Sequence, residues 1–265
     1  MVDLTETNAV LTTGGTLTIS DIDSPTTFNP LTNVAGSAGY GTFTVGSDGV
    51  WSYVADTAHN EFVDGVVYTD SIEVTSADGT TSTITVNITG SNDAAVISAP
   101  VVDLTETNAV LTTGGTLTIS DIDSPTTFNP LTNVAGSAGY GTFTVGSDGV
   151  WSYVADTAHN EFVDGVVYTD SIEVTSADGT TSTITVNITG TNDAAVISAP
   201  VVDLTETNAV LSTGGTLTIS DVDSPTTFTA LTNVAGTGGY GTFTVGTTGV
   251  WTYTADTAHN GRAHV

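Results

Sequence analysis

A near-perfect internal repeat with a period of 100 residues constrains this chain more than any other feature of its sequence. Residues 2–90 return unchanged as residues 102–190, and a third copy starts at Val202 and keeps the pattern to Asn260. A period of this length describes a whole domain with its own core, whereas solenoid units are only about 20–50 residues long. We therefore predict beads on a string. The repeats, numbered 1, 2 and 3 below, are residues 1–93, 94–193 and 194–265.

Both ends of the chain indicate a piece of a longer protein. The third copy departs from the pattern after Asn260, and the sole basic residue, Arg262, lies in the divergent tail. We interpret residues 261–265 as a truncation artefact, so repeat 3 is expected to be incomplete and to lack its last strands. Met1 stands where the other copies have valine, which suggests a start cut into a longer sequence. A missing signal peptide therefore says nothing about secretion.

The charge balance narrows the possible partners. The chain has one Lys or Arg against 29 Asp and Glu, which gives a formal net charge of -28. Nucleic acids and anionic membrane surfaces both need cationic side chains, so neither is expected as a partner. The sequence contains no cysteine that could form a disulfide. It also has no apolar run of the roughly 20 residues needed for membrane insertion. This composition indicates either cations as partners or simply a well-solvated surface.

Alternation of apolar and polar residues predicts β-strands along each repeat. Leu17 and Ile19, for example, alternate with Thr and Ser, as is typical of a strand with one buried face. Tight turns are expected at residues 47–49 and 77–79, both of which end in Asp-Gly. The predicted strands cover residues 16–20, 42–45, 50–54, 68–74, 84–88 and 95–104. About seven short strands are typical of an Ig-like antiparallel sandwich, so the predicted fold class is all-β, with tandem β-sandwiches and a truncated third one.

Strand direction in such a sandwich brings acidic stretches together where two repeats join. The first strand should end near Glu6, and the final hairpin should begin near Asp70 and end at residues 92–93. The second strand of the next repeat should end at residues 121–123, facing the same joint. The candidate metal ligands are Glu6, Asp70, Asn92, Asp93, Asp121 and Asp123 at the first joint, and Glu106, Asp170, Asn192, Asp193, Asp221 and Asp223 at the second.

This donor set suits a hard cation. Ca²⁺ takes six to eight oxygen ligands from carboxylates, amides and carbonyls and needs no His or Cys. Five carboxylates crowded together without a cation would repel each other by several kcal/mol at an effective dielectric of ~20. We therefore predict structural Ca²⁺ that makes each joint rigid. The alternative is an ordinary solvated acidic surface in which Asn-Asp forms a turn.

Four motifs recur in each full copy: the Trp-Ser-Tyr strand at residues 51–53, Tyr-Thr-Asp-Ser at 68–71, Ala-Asp-Gly at 77–79 and the joint sequence Ile-Thr-Gly-Ser/Thr-Asn-Asp-Ala at 88–94. Together they resemble the VCBS repeat, a family of bacterial cadherin-like and Ig-like modules. The joint sequence is the most specific of these. Ala95 departs from the pattern, since the family commonly has proline there, and this should leave the linker less stiff.

The resemblance implies an extender segment of a giant RTX-type adhesin on the bacterial cell surface. It further implies type I secretion, calcium at the joints, and a role in cell adhesion and biofilm formation. No RTX-type Gly-Gly-x-Gly-x-Asp nonapeptide occurs in the chain. The expected partners are neighbouring repeats of the same chain, with a glycan or cell-surface ligand bound through other domains.

Two other functional classes remain open at this stage. Trp51 and Tyr53 could form an aromatic platform that binds carbohydrate or a like repeat, although an Ig-like sandwich ordinarily buries such a tryptophan. The chain could also be an accessory region of a larger secreted enzyme. His59 has no second His, Cys or nucleophile near it in the sequence, so we expect a loop histidine, with no zinc site and no enzymatic activity within the repeats.

Overall fold

The computed structural model describes residues 1–258, which form 22 β-strands and no helix. These described residues therefore contain no helix that could span a membrane. The divergent tail at residues 261–265, including Arg262, lies outside the described residues.

The strands follow the repeat. Those of repeat 1 are β1 (Val2–Thr5), β2 (Thr12–Thr16), β3 (Leu31–Ala35), β4 (Gly41–Val45), β5 (Val50–Ala55), β6 (Val67–Thr75) and β7 (Thr81–Thr89). Those of repeat 2 are β8 (Val96–Ile97), β9 (Val101–Thr105), β10 (Thr112–Thr116), β11 (Ile119–Ser120), β12 (Leu131–Ala135), β13 (Gly141–Val145), β14 (Val150–Ala155), β15 (Val167–Thr175) and β16 (Thr181–Thr189). Those of repeat 3 are β17 (Val196–Ile197), β18 (Ser212–Thr216), β19 (Ile219–Ser220), β20 (Leu231–Ala235), β21 (Gly241–Val245) and β22 (Val250–Ala255).

Repeats 1 and 2 are sandwiches of two sheets, as the predicted all-β class requires. One sheet has four antiparallel strands in the order β2-β5-β4-β3, and the other has three in the order β1-β7-β6. Side chains on β5 alternate, with Trp51, Tyr53 and Ala55 buried in the core. The fold class is confirmed, and the aromatic pair at residues 51 and 53 packs inside the sandwich.

One strand pairing differs from a purely antiparallel arrangement. β1 runs parallel to β7, from the Val2–Val86 pair to the Thr5–Thr89 pair, and β9 pairs with β16 in the same way. The strand predicted over residues 95–104 is in fact two strands, because the chain crosses from one sheet to the other at residues 98–100. Pro100 lies at this crossing, where it has no N–H to pair and its carbonyl accepts a hydrogen bond from Thr185 N–H at 3.0 Å.

The second strand also lies earlier than the alternation of Leu17 and Ile19 predicts. β2 covers residues 12–16 and pairs with β5, so that Gly14 lies opposite Ser52 and Gly15 lies opposite Trp51. A Cβ on Gly14 would lie 2.6 Å from the Trp51 carbonyl oxygen, and one on Gly15 would lie 3.1 Å from the indole nitrogen. The glycine pair therefore lets the backbone approach the tryptophan closely.

Repeat 3 keeps the four-stranded sheet, while its described residues include no counterpart of β15 and β16. Residues 201–207 consequently form no strand there, since the partner that pairs with β9 in repeat 2 is not among them. Phe243 is 38% exposed, whereas Phe143 at the same place in repeat 2 is fully buried.

Candidate metal centres at the joints between repeats

The linker between repeats 1 and 2 is fastened to the acidic turn that follows β11. The backbone N–H of Asp93 donates to Oδ2 of Asp123 at 3.3 Å, and Ser124 Oγ donates to Oδ1 of Asn92 at 3.2 Å. The turn itself is closed by N–H groups of residues 123 and 124, which donate to Oδ1 of Asp121 at 3.1 and 2.8 Å. This local bonding is ordinary Asx-turn chemistry, and it holds the turn against the linker.

Glu6 reaches the same joint from repeat 1. Its N–H continues the pairing with β7 by donating to the carbonyl of Thr89 at 2.7 Å, and its side chain is 1% exposed. Ser91 Oγ donates to Oε2 of Glu6 at 2.6 Å, beside Asn92 and Asp93. Five of the predicted residues therefore lie at this joint, and the hydrogen bonds of Asn92 and Asp93 to the turn at residues 121–124 connect the two repeats.

Repeat 1 provides an internal control for the effect of the linker. Asp23 has the same sequence context as Asp123 but no Asn-Asp segment packed on it, and it is exposed. Asp123 is only 8% exposed and Asp223 only 9% exposed. Burial raises the pKa of Asp123, and the carboxylates of Asp121 and Asp93 add to this effect, while the Asp93 N–H opposes it.

Buried oxygen atoms without a hydrogen-bond partner mark both joints. Native proteins leave few buried polar atoms unpaired, so a cluster of them at one place calls for an explanation. The atoms at the first joint are Glu6 Oε1, Asn60 Oδ1, Asp93 Oδ2, Asp121 Oδ2 and Asp123 Oδ1. Those at the second are Glu106 Oε1, Asn160 Oδ1, Asp193 Oδ2 and Asp223 Oδ1. Carboxylate and amide oxygens are the ligands of a hard cation such as Ca²⁺, so the donor set fits the ion that the sequence predicts.

The same carboxylates do not form a closed coordination sphere. Within residues 1–258, no three Asp, Glu, His or Cys side chains are grouped closely enough to hold a metal ion. The residues therefore fit Ca²⁺ in the chemical kind of their donor atoms and in their burial, but they do not form a closed set of ligands.

Asn60 is a donor that the sequence reasoning missed. It lies in the loop between β5 and β6 and, together with Asp93, Asp121 and Ser120, lines a cavity of about 390 Å³ at the joint. The preceding residue, His59, has a left-handed backbone with φ of 59°. The one available signal was the internal comparison, because the third copy keeps the same His-Asn pair.

The structure does not bring Asp70 to the joint, so its placement among the ligands is corrected. Asp70 is fully buried three residue pairs inside the β6–β7 hairpin, where it lies opposite Val86. Its carboxylate accepts hydrogen bonds from Ala38 N–H at 2.9 Å and Tyr53 Oη at 3.3 Å. Strand direction indicated the correct end of the repeat for this strand but not how deep in the strand the carboxylate lies.

The second joint repeats this arrangement with two side-chain differences, Thr191 for Ser91 and Val222 for Ile122. Asp193 N–H donates to Oδ2 of Asp223 at 3.2 Å, and Ser224 Oγ donates to Asn192 at 3.2 Å. Thr191 takes the place of Ser91 and donates to Glu106. Asp221 closes the turn as Asp121 does, through N–H donors at 3.2 and 3.0 Å. Asp170 is held by Ala138 and Tyr153, so it stays away from this joint as Asp70 does from the first.

His59 is held on the loop that carries Asn60 and is surrounded by acceptors. Its Nε2 lies 2.7 Å from the Tyr40 carbonyl oxygen and 2.9 Å from Oδ1 of Asp56, and its Nδ1 lies 2.8 Å from Oε1 of Glu61. A neutral imidazole can donate from only one nitrogen, so the imidazolium fits these partners best. Burial lowers the pKa of His59, but the hydrogen bonds to Tyr40 and Glu61 and the nearby carboxylates outweigh burial and raise it.

We expect this histidine to make the stability of repeats 1 and 2 depend on pH. The folded pKa is raised, so the contribution is fully present below the unfolded value of about 6.5 and is lost as pH rises through the folded value. The double variant H59Q/H159Q should therefore differ most from the parent chain near pH 5.5 and least near pH 9. Urea unfolding with chelator present measures this difference. A gap that stays constant or widens with rising pH would contradict the assignment.

Comparison with known proteins places the fold in one class. The chain is a string of tandem all-β, cadherin-like domains: it superposes on protocadherin gammaB7 EC3-6, described as a cis-dimer structure, with a TM-score of 0.51 and 15% identity over 98% of this chain. It spans 64% of that protocadherin chain. Mouse cadherin-23 EC22-24 aligns over 96% of this chain and 84% of its own, with 16% identity and a TM-score of 0.44.

Sequence comparison identifies one segment more narrowly. Residues 92–190 match the family model described as bacterial cadherin-like domain. This segment starts with the Asn-Asp of the first joint and covers repeat 2 up to residue 190. No curated protein matches the chain by sequence.

Proposed function

We propose that this chain is a non-enzymatic extender segment of a large secreted bacterial surface adhesin, built from VCBS-type repeats. Its three repeats, residues 1–93, 94–193 and 194–265, would hold a distal binding domain away from the cell and so support adhesion and biofilm formation. The cadherin-like fold and the match over residues 92–190 support an extracellular structural module. Export by type I secretion is part of the same proposal.

The observation that carries the proposal is the set of unpaired buried oxygens contributed by both sides of each joint. At the first joint, Glu6, Asn60 and Asp93 come from repeat 1 and its linker, while Asp121 and Asp123 come from repeat 2. These residues would hold Ca²⁺, which supplies positive charge that offsets the repulsion among the carboxylates. Since no one repeat contains the whole donor set, binding would couple the orientation of neighbouring repeats.

The alternative of a glycan-binding platform on Trp51 and Tyr53 loses its main support. Trp51 is 7% exposed and Tyr53 is fully buried in the core, so neither ring offers a face to a sugar. A role as an accessory region of a larger secreted enzyme would depend on domains other than these repeats.

Small-angle scattering and calorimetry of the whole chain, with Ca²⁺ and with chelator, test the proposal. We expect Ca²⁺ to increase the maximum dimension of the chain and to narrow the range of conformations that the scattering reports. We also expect it to raise the melting temperature, because an ion at 100 times its dissociation constant stabilises a site by about 2.7 kcal/mol. An unchanged maximum dimension and melting temperature would make the joints ordinary linkers and refute the proposal.

A further inference from the structure

The segment that follows the first joint is bound along both of its edges by repeat 2. On one edge, β8 pairs antiparallel with β11. Beyond β8, Ser98 N–H donates to the Thr118 carbonyl at 3.0 Å. On the other edge, Ala95 N–H donates to Oδ2 of Asp178 at 3.0 Å, and Ala95 is only 7% exposed. Because backbone groups make these contacts, repeat 2 holds the segment without the help of a cation.

The contacts of Ser91 and Asn92 divide the first joint between two neighbouring residues. Ser91 Oγ donates to Oε2 of Glu6 at 2.6 Å, which ties this residue to repeat 1. Asn92 is the next residue, and its Oδ1 accepts a hydrogen bond from Ser124 Oγ of repeat 2 at 3.2 Å. Among the described residues, no hydrogen bond joins residues 92–98 to repeat 1. A single peptide link therefore separates residues that different repeats hold.

The second joint divides at the same place. Thr191 donates to Glu106 of repeat 2, whereas Asn192 accepts from Ser224 Oγ of repeat 3 at 3.2 Å. β17 pairs with β19 as β8 does with β11. The segment that matches the bacterial cadherin-like family also begins at Asn92 and ends just before Thr191. Hydrogen bonding and family similarity therefore agree on the ends of one unit.

We propose that the chain bends at the peptide link between Ser91 and Asn92, and at the equivalent link between Thr191 and Asn192, so that each linker moves as part of the repeat that follows it. The soft dihedral angles there are ψ of residue 91 and φ of residue 92. Hinges in proteins are commonly a few loop residues of this kind that absorb the change in backbone angles. The moving unit is residues 92–191, which begins two residues before the repeat boundary that the sequence predicts.

This division also sorts the donors of the proposed cation site. Asp93 N–H donates to Oδ2 of Asp123 at 3.3 Å, so Asp93, Asp121 and Asp123 move together with repeat 2. Glu6 and Asn60 remain with repeat 1. A bent joint would keep three carboxylates assembled on repeat 2 and separate them from the other two donors. This consequence rests on the proposed function, whereas the bend itself needs no cation.

Double electron–electron resonance on the whole chain, with chelator present, tests the bend. The chain has no cysteine, so spin labels attach only where cysteines are introduced. Val96, Val154 and Val196 are exposed, and residues 96 and 196 occupy equivalent places in the two linkers. V96C/V154C should give a narrow distance distribution because both labels lie on one unit. V154C/V196C should give a distribution roughly twofold broader or more, because the hinge separates its labels.

Two further label pairs repeat the comparison and locate the bend. V54C/V96C should be as broad as V154C/V196C, since Val54 is the exposed counterpart of Val154 in repeat 1. Ala94 is also exposed, and A94C/V154C should be as narrow as V96C/V154C, which places the bend before residue 94.

Equal widths within a unit and across a joint would overturn the proposal, and so would a broad distribution for A94C/V154C. Adding Ca²⁺ to the same samples separates this proposal from the proposed function. Ca²⁺ should narrow only the pairs that span a joint. If those pairs stay broad with Ca²⁺, the proposed function fails while the hinge stands.

Discussion

Replacing Asp123 with asparagine is expected to remove tight Ca²⁺ binding at the first joint and to leave the second joint intact. Asp123 contributes an unpaired buried oxygen and accepts the Asp93 N–H, so the change weakens the donor set contributed by both repeats. A tenfold weaker site at 100 times the parental dissociation constant loses about 1.3 kcal/mol, or roughly 5–10 °C for a repeat of this size. Titration calorimetry counts the remaining tight sites, and scanning calorimetry measures the shift.

The matched control is D23N. Asp23 occupies the same turn, closed by the same N–H contacts to Asp21 at 2.9 Å, but no linker packs on it. D23N should bind Ca²⁺ as the parent does, and D223N should affect only the second joint. Equal effects of D23N and D123N would show that the turn, and not the joint, governs the response to calcium.

Gly90→Ala is expected to have the largest effect on the stability of repeat 1. The loop between β5 and β6 closes on Gly90, whose N–H donates to the Val66 carbonyl at 2.9 Å. A Cβ at this position would lie 2.3 Å from the Val63 carbonyl oxygen and 2.4 Å from that of Phe62. Backbone atoms cannot swing aside as a side chain can, so we expect a loss of about 3 kcal/mol or more. Urea unfolding should show repeat 1 melting ahead of the others.

Gly39→Ala serves as the comparison because its Cβ would meet nothing within 4 Å. Its φ of 77° imposes only the left-handed backbone cost of about 1–2 kcal/mol. If G90A lowers the free energy of unfolding by no more than G39A does, the close approach of the loop to Gly90 does not constrain the repeat. A shifted loop would also move Asn60, so loss of Ca²⁺ affinity in G90A at temperatures where repeat 1 remains folded would tie the loop to the site.

The repeat period and the residue alternation were enough to predict the fold class. Alternation is a local pattern, and the repeat is found by comparing the sequence with itself, so neither needs knowledge of long-range contacts. Trp51 and Tyr53 show the expected inward orientation on β5. The parallel pairing of β1 with β7 was not predictable in the same way, since it joins segments 84 residues apart, as in Val2 with Val86. Nothing in either segment distinguishes a parallel neighbour from an antiparallel one.

The site was predictable to the level of strand ends. Glu6, Asp93 and Asp123 lie on the same joint because strand direction alone decides which end of a repeat each one reaches. The placement predicted for Asp70 was wrong because its position along β6 depends on the strand register. The buried hydrogen bond from Tyr53 fixes that register. Asn60 was missed because a left-handed residue within an irregular loop determines where it points.

The parallel pairing of the first and last strands has a mechanical consequence. In repeat 2 the chain enters along β9 and leaves along β16, and these neighbours are held by five residue pairs from Val101–Thr185 to Thr105–Thr189. Tension applied along the chain pulls two parallel neighbours past each other, so the hydrogen bonds between them are loaded together in shear. An antiparallel terminal pair pulled from one end would instead open one bond at a time. Repeats 1 and 2 therefore resist extension with a whole strand interface.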